Sequence, residues 1–160
     1  MKLNNFEINM RSRNHIEKCF YVCKDYTRAY KLTKNLINKI NNQFKTIEKE
    51  ELDYDYYFCY MILARICNHN KLYEEAIKNI YKAMEYPVKD YYNISAKWLL
   101  ACIYKTNDQI DKAKIEYRDC YKYYRSIEEE KYMFGVKLRL SRLNQLNKKE
   151  WLISYTRIPL

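Results

Sequence analysis

The chain has almost no glycine or proline, with one Gly and two Pro in 160 residues. Glycine enters positive-φ backbone conformations without steric cost, and two-residue hairpins depend on it. Its scarcity argues against hairpin-rich β architectures and leaves an all-α chain as the expected class. A single glycine also excludes a glycine-rich phosphate loop of either common type. Histidine is nearly as rare, with only His15 and His69, and no His-Glu-x2-His or nucleophile-elbow pattern occurs. No run approaches the roughly 18 apolar residues of a membrane span. The N-terminus, MKLNNFEINMRSRN, carries no apolar signal segment. These absences predict a non-enzymatic protein without cofactor or metal, cytoplasmic, with reduced thiols and no membrane partner.

Positive charge is abundant. The formal net charge is +10, distributed as +6 over residues 1–50, −2 over 51–86, +3 over 87–126 and +3 over 127–160. Lys, Asn, Ile and Tyr together make 71 residues. All four have AT-rich codons, so part of the cationic excess reflects genome composition. A basic end beside a mildly acidic middle suits an acidic protein partner as well as a phosphate backbone.

Hydrophobic spacing near 3.6 residues runs through the chain. It predicts helices at 5–22, 26–46, 51–69, 71–86, 89–106, 109–126, 128–146 and 148–156. Asn70 and Asn107 are expected as N-caps of the helices that follow them. Glu74 and Glu75, and later Glu128, Glu129 and Glu130, fall at the positive ends of helix dipoles. Pro87 is expected to end the fourth helix by excluding Tyr86 from α geometry.

Residues 57–86 recur 37 positions later as 94–123. Leu63-Ala64 returns as Leu100-Ala101, Ile66 as Ile103, Asn70 as Asn107, Ala76 as Ala113 and Tyr86 as Tyr123. A repeat of this length is one supersecondary unit that closes its core only by stacking on neighbours. The better copy reads Tyr60-x2-Leu63-Ala64-x2-Cys67, Ala76-x3-Ile80-x2-Ala83, then Pro87. The next reads Lys97-x2-Leu100-Ala101-x2-Tyr104, then Ala113-x3-Tyr117-x2-Cys120. This pattern resembles the tetratricopeptide repeat.

The resemblance implies an antiparallel helix-pair solenoid of about seven or eight helices in a single domain, 1–160. Clear copies span 57–86 and 94–123, and degenerate copies span 10–46 and 128–156. Small residues at Ala64, Ala76, Ala101 and Ala113 let paired helices approach, and Cys67 and Cys120 take packing slots. Gly135, costing roughly 1 kcal/mol inside a helix, is expected where helices pack closely, and Trp151 belongs to a short last helix. The final stretch, KYMFGVKLRLSRLNQLNKKEWLISY, is similar in helix-pair texture to peptide-pheromone receptors of the Rap and AimR type. No helix-turn-helix segment of the kind that opens several of those receptors is recognisable here.

Such stacks bind through the face built by the first helix of each pair. The resemblance places on that face Asn14, Lys18 and Tyr21; Met61, Arg65 and Asn68; Trp98, Cys102 and Lys105; and Tyr132, Val136 and Arg139. The expected partner is a protein or an acidic peptide. Arg65 and Arg139 would fork onto carboxylates, Asn68 would pair with peptide backbone, and Trp98 or Tyr132 would hold an apolar anchor. The alternative partner is nucleic acid at the basic N-terminal helices, through Arg11, Arg13, Lys18, Lys24, Arg28, Lys31 and Lys34, of which the first five do not form one stripe. Poorly matched solenoid ends make a homodimer a candidate assembly. His15, Cys19 and Cys23 share one helical face, but the outer pair would lie about 12 Å apart along a straight helix, too far for one ion.

Overall fold

The computed structural model describes residues 5–43 and 49–155, with side chains over 7–43 and 52–145. Among these residues there are seven α-helices and no strand. They are α1 Asn5–Glu17, α2 Tyr26–Gln43, α3 Lys49–His69, α4 Tyr73–Met84, α5 Asp90–Thr106, α6 Ile110–Ser126 and α7 Glu130–Tyr155. The expected all-α class is the observed one. A π-helical turn, Lys18–Val22, continues α1, with the Cys23 N–H donating to the Lys18 carbonyl at 3.0 Å. Residues 44–46 and 156 of the expected helices, and the Trp151 side chain, lie outside the described residues.

The C-terminal end departs from expectation. One helix, α7, occupies 130–155 where two were expected. Its sequence around Leu146-Asn147-Lys148-Lys149 holds neither Gly nor Pro, so nothing there forces a break. The helix-pair texture behind the likeness to Rap and AimR receptors is therefore absent from 131–155.

Two compact units divide the chain, Met1–Ala96 and Lys97–Leu160, with the border inside α5. In the first unit, α1, α2, α3 and α4 pack mainly in chain order. Ile16, Ala29, Leu36, Ile40, Cys59, Ile62 and Ile66 are among the residues of its buried core. Pairs of contacts show that α3 and α4 run antiparallel. Asn79 of α4 donates to the Cys67 thiol, Lys82 lies over the Tyr60 ring, and Tyr86 stacks on Tyr56. On α4, Ala76, Ile80 and Ala83 are fully buried at spacings of four and three, the stripe an amphipathic helix needs.

A polar cluster is embedded where α1 and α2 meet α3. Asn9 donates to Gln43 at 3.0 Å and to Asp55 at 2.7 Å, and Arg13 forms an ion pair with Asp55. The Arg13 guanidinium also lies 5.0 Å from the Tyr54 ring centre. Burial lowers the Arg13 pKa from its ordinary range. Desolvating such a pair costs nearly what its attraction returns, so the pair adds little net stability while neither partner can be removed cheaply.

In the second unit, α6 packs on α7. The α5 residues of this unit meet α6 through Lys97 and Asp119 at 2.5 Å and through Trp98 and Tyr117 at 5.6 Å between ring centres. Ala113, Tyr117 and Cys120 form the buried stripe of α6. The alanines singled out by the repeat, Ala64, Ala76, Ala101 and Ala113, all have no exposed surface, and Cys67 and Cys120 are buried as well. Gly135 is not tightly enclosed: a Cβ there would meet only the Trp98 ring, at 3.8 Å. Close packing therefore does not explain this glycine.

The repeat is clearest in its turns. After α3 the N–H groups of Lys71 and Leu72 donate to the carbonyls of Asn68 and Cys67, and Lys71 has φ 60°. After α5, Asp108 and Gln109 donate to Lys105 and Tyr104, with Asp108 at φ 53°. After α6, Glu128 and Glu129 donate to Arg125 and Tyr124, with Glu128 at φ 56°. Each is a Schellman closure, whose left-handed residue is usually glycine. Without glycines the chain places Lys, Asp and Glu there.

Asn70 and Asn107 are consequently not N-caps. The residues before α4 and α6 are Leu72 and Gln109, and neither makes a side-chain cap bond. Both asparagines lie in the last turn of the closure of the preceding helix, so the short connection leaves them no capping position. Glu128 likewise sits in the turn, leaving Glu130 in the first turn of α7. A side-chain cap occurs instead at α2, where Asp25 accepts the Arg28 N–H at 2.9 Å.

Candidate functional site

The second unit contains a cavity of about 220 Å³ lined by Cys102, Lys105, Thr106, Tyr117, Arg139, Arg142 and Leu143. Helical spacing accounts for the composition. Cys102, Lys105 and Thr106 follow one another at i, i+3 and i+4 on α5, and Arg139, Arg142 and Leu143 do the same on α7. Tyr117 is contributed by α6 and is 1% exposed. Leu143 and Tyr117 supply buried surface, while Lys105 and Arg142 remain exposed at the rim and Arg139 is half-buried.

Three cations thus converge on one cavity with no carboxylate among the lining residues. Arg139 lies over the Trp98 ring, 4.6 Å from its centre, a cation–π contact that holds the guanidinium plane. Its charge also favours the ionised Tyr117 hydroxyl, against the larger effect of burial. That hydroxyl lies 3.3 Å from the Cys102 thiol. Burial, followed by the bond with Cys102, pushes the Tyr117 pKa up, so the phenol is protonated at neutral pH. The Thr106 hydroxyl donates to the Cys102 carbonyl at 2.9 Å, leaving its oxygen as an acceptor. An anionic group is the occupant this lining suits.

The groove residues expected from the sequence fall into both units. Cys102, Lys105 and Arg139 line the cavity, and Trp98 touches it only through Arg139, which lies over its ring. Tyr132 stacks on Tyr124 at 5.0 Å and does not line it, and Val136 is fully buried. In the first unit, Arg65 lies over the ring of Tyr21, 6.0 Å from its centre. Asn68 is half-buried, Lys18 and Asn14 are exposed, and Met61 is buried in the core. Sequence reasoning missed Arg142, Thr106 and Tyr117. Arg142 lies one turn beyond Arg139, and Tyr117 is the repeat counterpart of Ile80, so the added hydroxyl was the available signal.

The first unit has a more open depression of about 540 Å³, whose lining includes Lys24, Asp25, Tyr26, His69, Leu72 and Glu75. Its lining pairs the single cation Lys24 with the carboxylates Asp25 and Glu75, and Asp25 is already engaged as a cap, so it selects less clearly for charge. Of the basic residues in the nucleic-acid alternative, Arg13 is paired with buried Asp55 and is not available to meet phosphate. His15 and Cys23 are exposed whereas Cys19 lies in the core. Among the described residues no cluster of three metal-ligating side chains occurs. No helix among them is long and apolar enough to cross a membrane. Comparison of the chain with protein-family models, curated proteins and solved structures finds no match.

Proposed function

We propose that this protein is a non-enzymatic binding module of the tetratricopeptide-like class, and that it holds an acidic peptide segment of a protein partner. The observation that carries this reading is the convergence of Lys105, Arg139 and Arg142 on one cavity without a neutralising carboxylate. At about 220 Å³ the cavity is smaller than the roughly 300–1,000 Å³ pockets that enclose a drug-sized ligand. It therefore receives one group of a larger partner rather than a whole cofactor. The 37-residue repeat, the buried alanines and the repeated helix closures support the tetratricopeptide-like assignment.

An array of acidic and neutral peptides tests the proposal. Acidic peptides should be retained by the intact chain and released by Lys105→Glu and by Arg142→Glu, both at exposed positions and so compatible with folding. Retention unchanged in both variants would remove the cavity from the function. Arg65→Glu, in the other unit, separates a contribution from the Arg65–Tyr21 pair.

A further inference from the structure

The cavity holds more positive charge than a carboxylate can satisfy. Lys105, Arg139 and Arg142 bring three cations to it, and the lining supplies no anion of its own. A carboxylate side chain would neutralise one of them. A phosphorylated side chain carries about −1.5 to −2 at pH 7 and three acceptor oxygens. Four donor groups are present to meet those oxygens. Arg142 and Lys105 stand at the rim, Arg139 is held at the Trp98 ring, and the Tyr117 proton is available to a ligand oxygen or the Cys102 thiol. Arginine forks onto phosphate oxygens in pairs, which a point charge does not.

We infer that the α5–α6–α7 cavity is a phosphoryl-binding site that receives a phosphorylated side chain of the peptide partner. This rests on the peptide-binding reading and narrows its ligand. A cavity of about 220 Å³ favours a single phosphoryl group over a nucleic-acid backbone, which needs a track of cations along several phosphates. Phosphorylation of the partner would then switch binding on.

The full chain carrying Trp151→Phe leaves Trp98 as the one tryptophan, and its fluorescence reports on the cavity through Arg139, which lies over its ring. Titrations use blocked O-phosphoserine, blocked phosphotyrosine, inorganic phosphate, blocked glutamate and random single-stranded DNA. The expected result is saturable binding of a blocked phosphoamino acid about tenfold or more tighter than of blocked glutamate. Binding should be lost in Arg142→Glu and in Lys105→Glu. It should be kept in Lys137→Glu, which removes an equal charge from α7 outside the cavity. Equal affinity for phosphoserine and glutamate overturns the phosphoryl site and leaves the acidic-peptide reading intact. So does retention of acidic peptides with no response to any phosphorylated probe. Absence of both overturns both. DNA binding tighter than either phosphoamino acid, abolished by Arg142→Glu, replaces this inference with a nucleic-acid site.

Discussion

Replacing Lys71 or Glu128 by glycine should make the protein more stable, and Asp108→Gly should do so less. These residues adopt φ of 60°, 56° and 53° at three helix closures, and all three are exposed. A left-handed L-residue costs roughly 1–2 kcal/mol. Glycine removes that strain but adds about 0.5–1 kcal/mol of unfolded-state entropy. The net gain at Lys71 and Glu128 is then about 0.5–1 kcal/mol each. Aspartate tolerates the left-handed region better, through local hydrogen bonds of its short side chain, so Asp108 starts with less strain to relieve. The assay is the urea midpoint at unchanged slope, supported by melting temperatures, where about 1 kcal/mol shifts a domain of this size by roughly 2–4 °C. Asn70→Ala is the control. As a residue of the closure it should cost less than about 0.5 kcal/mol, whereas loss of an N-cap costs about 0.5–2 kcal/mol. Neutral or destabilising glycines at Lys71 and Glu128, or the largest gain at Asp108, would refute the strain argument.

Gly135→Ala should stabilise α7 by about 0.5–1 kcal/mol in a denaturant titration, because the added methyl meets only the Trp98 ring at 3.8 Å. Thiol counting at pH 8 should find Cys23 reacting first and half-exposed Cys102 more slowly. Cys59 and Cys120, whose thiols burial pushes up to about 12, should stay silent until denaturant is added. Arg13→Ala should cost about 3–5 kcal/mol, since it strands the buried Asp55 carboxylate; Arg13→Met with Asp55→Leu should cost less, as a double-mutant cycle would read. Hydrogen bonding to Lys97 holds the Asp119 carboxyl below its ordinary range. Asp119 therefore contributes stability above the usual carboxylate pKa that is lost as pH falls through its lower folded value. Asp119→Asn should flatten the acid limb of a stability–pH profile in that range.

Helix content was legible because it depends on local patterns. The spacing of Ala76, Ile80 and Ala83 and of Ala113, Tyr117 and Cys120 marks buried stripes that need no knowledge of their partners. Boundaries were less legible where several local solutions compete. Asn70 is a good cap in isolation, yet the backbone bonds from Lys71 and Leu72 close α3 first. The break expected near Lys148 comes from a repeat imposed on residues with ordinary helical preference. Part of the cavity was visible in the register of Cys102, Lys105 and Arg139. Arg142 and Tyr117 were not, because their relevance depends on which faces of α6 and α7 meet.

The sequence by itself determined the class of fold, the repeating helix pair and the surplus of positive charge. These follow from composition and from periodicity along one chain, which act through nearest neighbours. Only the tertiary structure decided which charges are available. Arg13 is drawn inward to Asp55, whereas Lys105, Arg139 and Arg142 line one cavity. The physical reason is that a cation's usefulness to a ligand depends on burial and on the carboxylates within a few ångströms, and both are set by contacts between residues far apart in the chain.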